Sequence, residues 1–390
     1  MTSESEPQKK AFQVIRVSAP GKVILHGEHS VVYGKRAIAL SLDLRTRLTA
    51  AVGGDSVSLD LPDVDIKKTW PIETVMELWK NLGYTKDEKI KTLTEEQSHF
   101  IRSFLNFGEG ITDPKDLAIL SFFHLYISIL HEPLPISITV GSQLPTGAGL
   151  GSSAAYAVCL SGALLHLCDH IDLSKLSLPN SHPDILKTVS EWAYASEKIV
   201  HGTPSGIDNS VCTYGGAVSF KAGNIEPIHV PPLKVLLVNT LVPRSTKALV
   251  AGVRERKERV RAVVEPILTS LDAIADKGLE ILCSLKNANV YDEQVAVHEA
   301  LDELIDINQA LLCAIGVSHP SLDKLVGIAK SHGLHAKLTG AGGGGFGIVV
   351  VSPKITKSAI DACCDELRQS GYDVWCTSVG APGISFHNDI

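Results

Sequence analysis

The chain has 390 residues, 44% of them hydrophobic, and a formal net charge of -7. It is longer than one usual domain and apolar enough for proper cores, so two domains sharing a cleft are expected and the composition argues against extended disorder. The acidic balance argues against nucleic acid as the main partner. The longest apolar stretch, Leu117 to Leu130, holds Ser121, His124 and Ser128 and is too short to span a bilayer.

Residues 1–11 read as a disordered leader with no secretory signal. Phe12 to Val17 is expected as a strand, Ser18 to Lys22 as a turn on Pro20-Gly21, and Val23 to Leu25 as a second short strand. A polar cluster, His26-Gly27-Glu28-His29, follows. Ile38–Leu42, Thr46–Val52 and Val57–Leu61 are further strands. Residues 63–116 are charged and irregular, with one helical candidate near Ile72 to Leu82. Leu117 to Leu130 reads as a buried helix and Ile136 to Val140 as a strand. Helices are expected over Ser152–Cys168 and Ile185–Val200, the second stopped by His201-Gly202. Thr203 to Gly206 is a turn before Ile207-Asp208-Asn209, and Ala217 to Phe220 is a strand.

Pro231-Pro232 marks the expected boundary between an N-terminal domain, 12–231, and a C-terminal one, 232–390. Beyond it come a strand at Lys234–Asn239 and long helices at Lys247–Leu271, Leu271–Leu285 and Asp292–Ile315. Next are a helix at Ser321–His332 and strands at His335–Thr339 and Phe346–Val351. Helix Ile355–Ser370 and strand Val374–Val379 complete the pattern. The eight cysteines form no CxxC pair and mostly sit in apolar sequence. Reduced thiols in an intracellular protein are therefore expected rather than zinc ligands or disulfides, with cytoplasm as the default compartment.

Two glycine-rich segments carry chemistry. In Gln143 to Ala155, Gly147, Gly149 and Gly151 alternate with Ala148 and Leu150, and Ser152 and Ser153 open a helix. Glycines let a backbone approach a ligand closely, and a helix N-terminus suits phosphate. Walker A requires Lys where Gly151 stands, and the dinucleotide fingerprint requires Gly or Ala where Ser152 stands. A phosphate cradle, a flexible loop and a serine-capped helix start are all compatible with this stretch. The second segment, Thr339 to Gly345, formally matches GxGxxG but is followed by a strand, so it reads as a tight turn or as a backbone wall against a ligand.

Lys22, Glu197 and Asp208 each have an ordinary reading: a solvated charge, an exposed helix face and an N-cap. Taken together with the cradle they fit phosphoryl transfer. Lys22 can supply the cation and Asp208 the base, and Ser153 and Glu197 are oxygen ligands of the kind magnesium accepts. Spacing alone does not assign these roles.

Three segments, Ala19 to His29, Pro145 to Ala155 and Lys337 to Gly344, resemble in this order the GHMP kinases, which phosphorylate small molecules such as galactose, homoserine, mevalonate and phosphomevalonate. The resemblance runs from about Val14 to Ser385. Within the family, Lys22 to His29, His201 to Asn209, Val242 to Thr246 and Gly380 to Gly383 look like the animal branch that phosphorylates the C5 hydroxyl of (R)-mevalonate.

The resemblance implies an α+β, two-domain GHMP kinase fold with the active site in the interdomain cleft. It implies Asp208 as catalytic base and Lys22 as the cation on the γ-phosphate, with ATP held by Ser142 and the loop Gly147, Ala148, Gly149, Leu150, Gly151, Ser152 and Ser153. Ser153 and Glu197 would hold Mg2+, and Glu28, His29 and Thr246 would lie near mevalonate. Arg244 is a candidate for its carboxylate, because a fork of N–H donors suits that group. Gly340, Gly342, Gly343 and Gly344 would form the glycine-rich wall. A homodimer, inhibition by prenyl diphosphates that compete with ATP, and a cytoplasmic or peroxisomal location are carried expectations; no C-terminal peroxisomal signal is seen. Asp63 departs from the Asn usual near the nucleotide in that branch, and the chain ends at Ile390, soon after the Gly380 segment. Another GHMP small-molecule kinase, phosphomevalonate kinase above all, and a non-catalytic GHMP-fold ligand sensor are the alternatives.

Overall fold

A computed structural model describes residues 13–83, 93–108, 113–130, 132–145, 147–177, 183–288 and 290–387. The expected leader and Thr146 of the first glycine loop lie outside the described residues. The N-terminal half runs β1 (Gln13–His26), β2 (Ala37–Val52), β3 (Ser56–Leu61), β4 (Ile66–Pro71), α1 (Ile72–Asn81), α2 (Glu95–Phe104), α3 (Pro114–Ile129), β5 (Ile136–Ser142), α4 (Ser152–Leu167), α5 (Pro183–His201), α6 (Ile207–Tyr214), β6 (Ala217–Lys221) and β7 (Asn224–Ile228). The remainder runs β8 (Leu233–Asn239), α7 (Thr246–Arg259), α8 (Arg261–Leu285), α9 (Tyr291–Ala314), α10 (Pro320–Ser331), β9 (His335–Leu338), β10 (Phe346–Val350), α11 (Lys357–Gln369), β11 (Asp373–Val379) and β12 (Ser385–His387).

The described strands form one sheet with the path β4-β3-β5-β2-β11-β8-β10-β9; β1 lies between β2 and β12, and β6 pairs β2 and β7. All pairings are antiparallel except that of β3 with β5. Helices and mixed sheet together make the α+β class. The sheet continues across Pro231-Pro232. Val379 of β11 faces Leu42 of β2, the Gly380 amide donates to the Ser41 carbonyl at 2.9 Å, and β12 pairs β1. Buried Arg45 of β2 secures this junction by donating to the carbonyls of Ser18, Pro382 and Gly383 at 3.0, 2.8 and 2.6 Å.

Several expected boundaries shift for local reasons. The turn expected at Ser18 to Lys22 is instead an irregularity between Pro20 and Gly21 within the single strand β1, so Lys22 is held by a sheet. The long helix expected to break at Leu271 breaks at Val260, whose φ of -132° and ψ of 53° are not helical. Pro266 lies inside α8, in its second turn, where it withdraws one backbone donor from the helix. The irregular stretch from 63 also contains α2, which starts at a capping box between Thr94 and Gln97. α4 is buried along nearly its whole length by small residues, and Gly162 has no room for a side chain: a Cβ there would stand 2.4 Å from Ile384 Cδ1.

Candidate active site

Chain distance disappears at the end of β1. Lys22 Nζ lies 3.1 Å from Asp208 Oδ1, with the lysine side chain largely buried and the aspartate 39% exposed. Asp208 occupies the first turn of α6, behind Gly206 in the left-handed region, where the helix dipole favours a carboxylate. The first glycine loop abuts both. The Lys22 amide donates to the Leu150 carbonyl at 2.8 Å, and a Cβ on Gly151 (φ +78°) would come 2.9 Å from Lys22 Cγ. Only glycine lets the loop lie this close to the cation.

Gly151 also caps α4 without a side chain. The N–H groups of the first turn have no acceptor within the helix, which makes this end an anion-binding position. Beside it, the Ser153 hydroxyl donates to Glu197 Oε2 at 3.3 Å, and His201 Nε2 lies 3.2 Å from the same hydroxyl. Glu197 is buried and its Oε1 has no hydrogen-bond partner. An unpaired buried carboxylate oxygen next to a serine hydroxyl fits a magnesium ligand pair. Among the described residues no cluster of three or more His, Cys, Asp or Glu could hold a metal ion. This donor set suits a metal that takes one carboxylate and completes its shell with phosphate and water.

Burial, reinforced by the nearby Asp208 charge, pushes Glu197 up to about 7, against the opposing pull of Ser153 and Lys22. Without nucleotide and metal, the folded protein therefore binds this proton more tightly than the unfolded chain, whose carboxyl titrates near 4.5. That contribution is complete below pH 4.5 and is lost as pH rises through 7. It amounts to at most about 3 kcal/mol. Relative to Glu197→Gln, which cannot titrate, the ligand-free wild type should lose melting temperature between pH 5 and 8. Parallel melting curves for the two proteins would refute this.

The other sequence-derived residues fall into two groups. Ser142 and Asp63 meet at the rim, where Asp63 Oδ2 accepts the Ser142 amide at 2.6 Å and the Ser142 hydroxyl pairs with Thr46 at 2.9 Å. Asp63 thus accepts a hydrogen bond as an Asn carbonyl would. Arg244 lies between the two glycine segments. It donates to the Ala148 carbonyl at 2.7 Å, and a Cβ on Gly345 would stand 1.5 Å from its Nη1. Thr246 begins α7 and is exposed. The expected wall approaches other backbone closely: a Cβ on Gly342 would meet the Val317 carbonyl at 2.0 Å. Gly340 has open space.

Glu28 and His29 are buried. The Glu28 carboxylate pairs with Lys337, also fully buried, so it faces the interior. His29 has φ +60° and ψ -42°, and the Ser30 amide donates to the Glu28 carbonyl at 2.6 Å across it. This is a γ-turn of the strained, positive-φ kind, costing about 1–3 kcal/mol. His29 Nε2 lies 2.8 Å from the Ala341 carbonyl, which can only accept, so Nε2 carries the proton and Nδ1 is left as a buried acceptor. Burial holds the ring's pKa below the usual histidine value.

Two site neighbours escaped sequence reasoning. His201 read only as a helix stop, although its i, i+4 spacing from Glu197 places both on one face of α5. Cys212 read as an ordinary apolar cysteine. It lies 3.7 Å from where a Gly151 Cβ would be, and burial together with the Asp208 and Glu197 charges keeps its thiol protonated.

A glycine loop at a helix start, a buried carboxylate and a lysine–aspartate pair lie together here, a set that suits phosphoryl transfer to a small molecule. Family models described as GHMP kinases N terminal domain and GHMP kinases C terminal match residues 118–216 and 294–373. The mevalonate kinase of Bos taurus is 43% identical, over 96% of this chain and 95% of the bovine one. That of Homo sapiens is 42% identical, over 96% of each. Among solved structures, L. major mevalonate kinase in complex with R-mevalonate covers 98% of this chain and 100% of its own at TM-score 0.66 and 22% identity, a likeness of fold. The chain belongs to the GHMP kinases and, within them, to the mevalonate kinase family.

Proposed function

We propose that this protein transfers the γ-phosphoryl group of ATP to the C5 hydroxyl of (R)-mevalonate, giving 5-phosphomevalonate and ADP in the isoprenoid and sterol pathway. The observation that carries the chemistry is the Lys22–Asp208 pair at 3.1 Å, beside the open N-terminus of α4. The choice of substrate rests on relatives named mevalonate kinase at 42–43% identity over nearly the whole chain.

In this reading the phosphates lie along Gly147 to Ser153 and the N–H groups of α4 take their charge. Ser153 and Glu197 would hold magnesium, which when bound would neutralise phosphate charge. Asp208 orients the C5 hydroxyl and accepts its proton, and Lys22 stabilises the charge on the transferring group. Arg244 is within reach of the first loop and remains the proposed partner of the mevalonate carboxylate, with Thr246 beside it. Among the described residues no cysteine is joined in a disulfide, which supports a reducing compartment such as the cytoplasm. Among the described residues, no helix is long and apolar enough to cross a membrane. A homodimer and competition between prenyl diphosphates and ATP are proposed from family resemblance.

A coupled ADP-release assay over mevalonate, phosphomevalonate, galactose and homoserine tests the reading. Turnover is expected with mevalonate. Turnover with another of the four and none with mevalonate would assign the site to a different GHMP kinase. No turnover with any, alongside retained ligand binding, would make it a sensor.

A further inference from the structure

The first motif and the second glycine segment are joined by a buried seam that neither phosphate binding nor proton transfer uses. Glu28 and Lys337 pair with both side chains fully buried, and Lys337 Nζ also donates to the Leu338 carbonyl at 2.7 Å. Two residues on, the Thr339 hydroxyl bridges both backbone groups of Ile24, accepting its N–H at 3.1 Å and donating to its carbonyl at 2.8 Å. His29 closes the seam on Ala341 at 2.8 Å. From behind, the Gln309 side-chain carbonyl accepts the Leu338 amide at 2.9 Å and Asn308 Oδ1 meets His26 Nδ1 at 2.8 Å. Burial and the Lys337 charge hold His26 down at about 3, so it is neutral.

The strained turn at His29 therefore sits between two anchors. Its own ring is tied to the wall, and the residue before it is tied to the strand that leads into the wall. A positive φ at a histidine persists only where the surroundings fix it. With both side chains of the pair fully buried, the Glu28 carboxylate presents no surface to a solvated ligand.

We propose that Glu28 and Lys337 are positioning residues. Their pair, with the Thr339–Ile24 bridge, sets the spacing between the His29 turn and the Gly340–Gly345 wall, and Glu28 makes no contact with substrate. This rests on the mevalonate reading only for its kinetic readout. Lys22 lies upstream on β1 and Asp208 on α6, outside the seam, so loosening it should weaken substrate binding more than the chemical step.

The test is the double variant Glu28→Gln/Lys337→Met, which removes both charges at similar volume, a change that folded proteins often accept. The expected result is a melting temperature within a few degrees of wild type, a mevalonate KM raised about tenfold or more, and a kcat changed much less. In the substrate-free protein, amide hydrogen exchange should quicken over 24–30 and 337–345 and not elsewhere. A wild-type KM in the double variant would overturn the proposal. So would a raised KM with unaltered exchange, which would make Glu28 a substrate contact. Thr339→Val, which removes only the bridge to Ile24, should give the same pattern at smaller size and decides the case if the double variant does not fold. The exchange arm needs no substrate: if wild type fails to turn over mevalonate, the proposed function falls while the seam remains tested.

Discussion

Asp208→Asn is expected to lower turnover about 10²- to 10⁴-fold while leaving nucleotide affinity close to wild type. The substitution keeps size and the α6 helix start but removes the proton acceptor. The adjoining phosphate loop belongs to α4 and stays in place. A thousandfold loss corresponds to about 4 kcal/mol of transition-state stabilisation. Single-turnover kinetics with ATP and mevalonate, beside nucleotide binding by calorimetry, separates the two quantities. Turnover within tenfold of wild type would remove Asp208 from the base role. Weakened nucleotide binding in the same variant would mean that the carboxylate organises the loop instead.

Lys22→Met is the second large effect expected, about 10²- to 10³-fold in kcat. Its ammonium, 3.1 Å from Asp208, is largely buried, so its charge is poorly screened. Methionine fills the same channel beside Gly151 without charge, and the melting temperature should change by only a few degrees. Because Lys22 and Asp208 act as a unit, the double variant should be little worse than the poorer single one. Multiplied losses would show independent roles. A Lys22→Met enzyme whose only defect is a raised KM for ATP would place the lysine in ground-state binding.

Much of this site was legible in the chain because it is written in backbone requirements. Alternating glycines before Ser152 and the run from Gly340 announce close approach whatever surrounds them, and Pro20-Gly21 marks the irregularity before Lys22. Partnership was less legible. The sequence does not say which way Glu28 faces: resemblance implies a place near mevalonate, and the fold pairs its carboxylate with Lys337. The fork of donors makes Arg244 a candidate for the carboxylate, and one arm of that fork lies on Ala148. The meeting of Lys22 with Asp208, of Ser142 with Asp63, and of β1 with β12 depends on sheet register, which no local window contains. β12 is too short to announce itself, whereas α2 carried a readable Thr94-to-Gln97 start that its charged surroundings masked.

The uninterrupted sheet has a mechanical meaning. A hydrogen-bonded sheet that runs through both halves of the chain resists their hinging apart. Bending it between β2 and β11 would break the Gly380–Ser41 bond and strain the bonds from Arg45 to the carbonyls of Pro382 and Gly383. Under the proposed function, substrate entry is expected to move the loops beside the sheet, among them the first glycine loop and the segment carrying Arg244, while Lys22 stays held by β1.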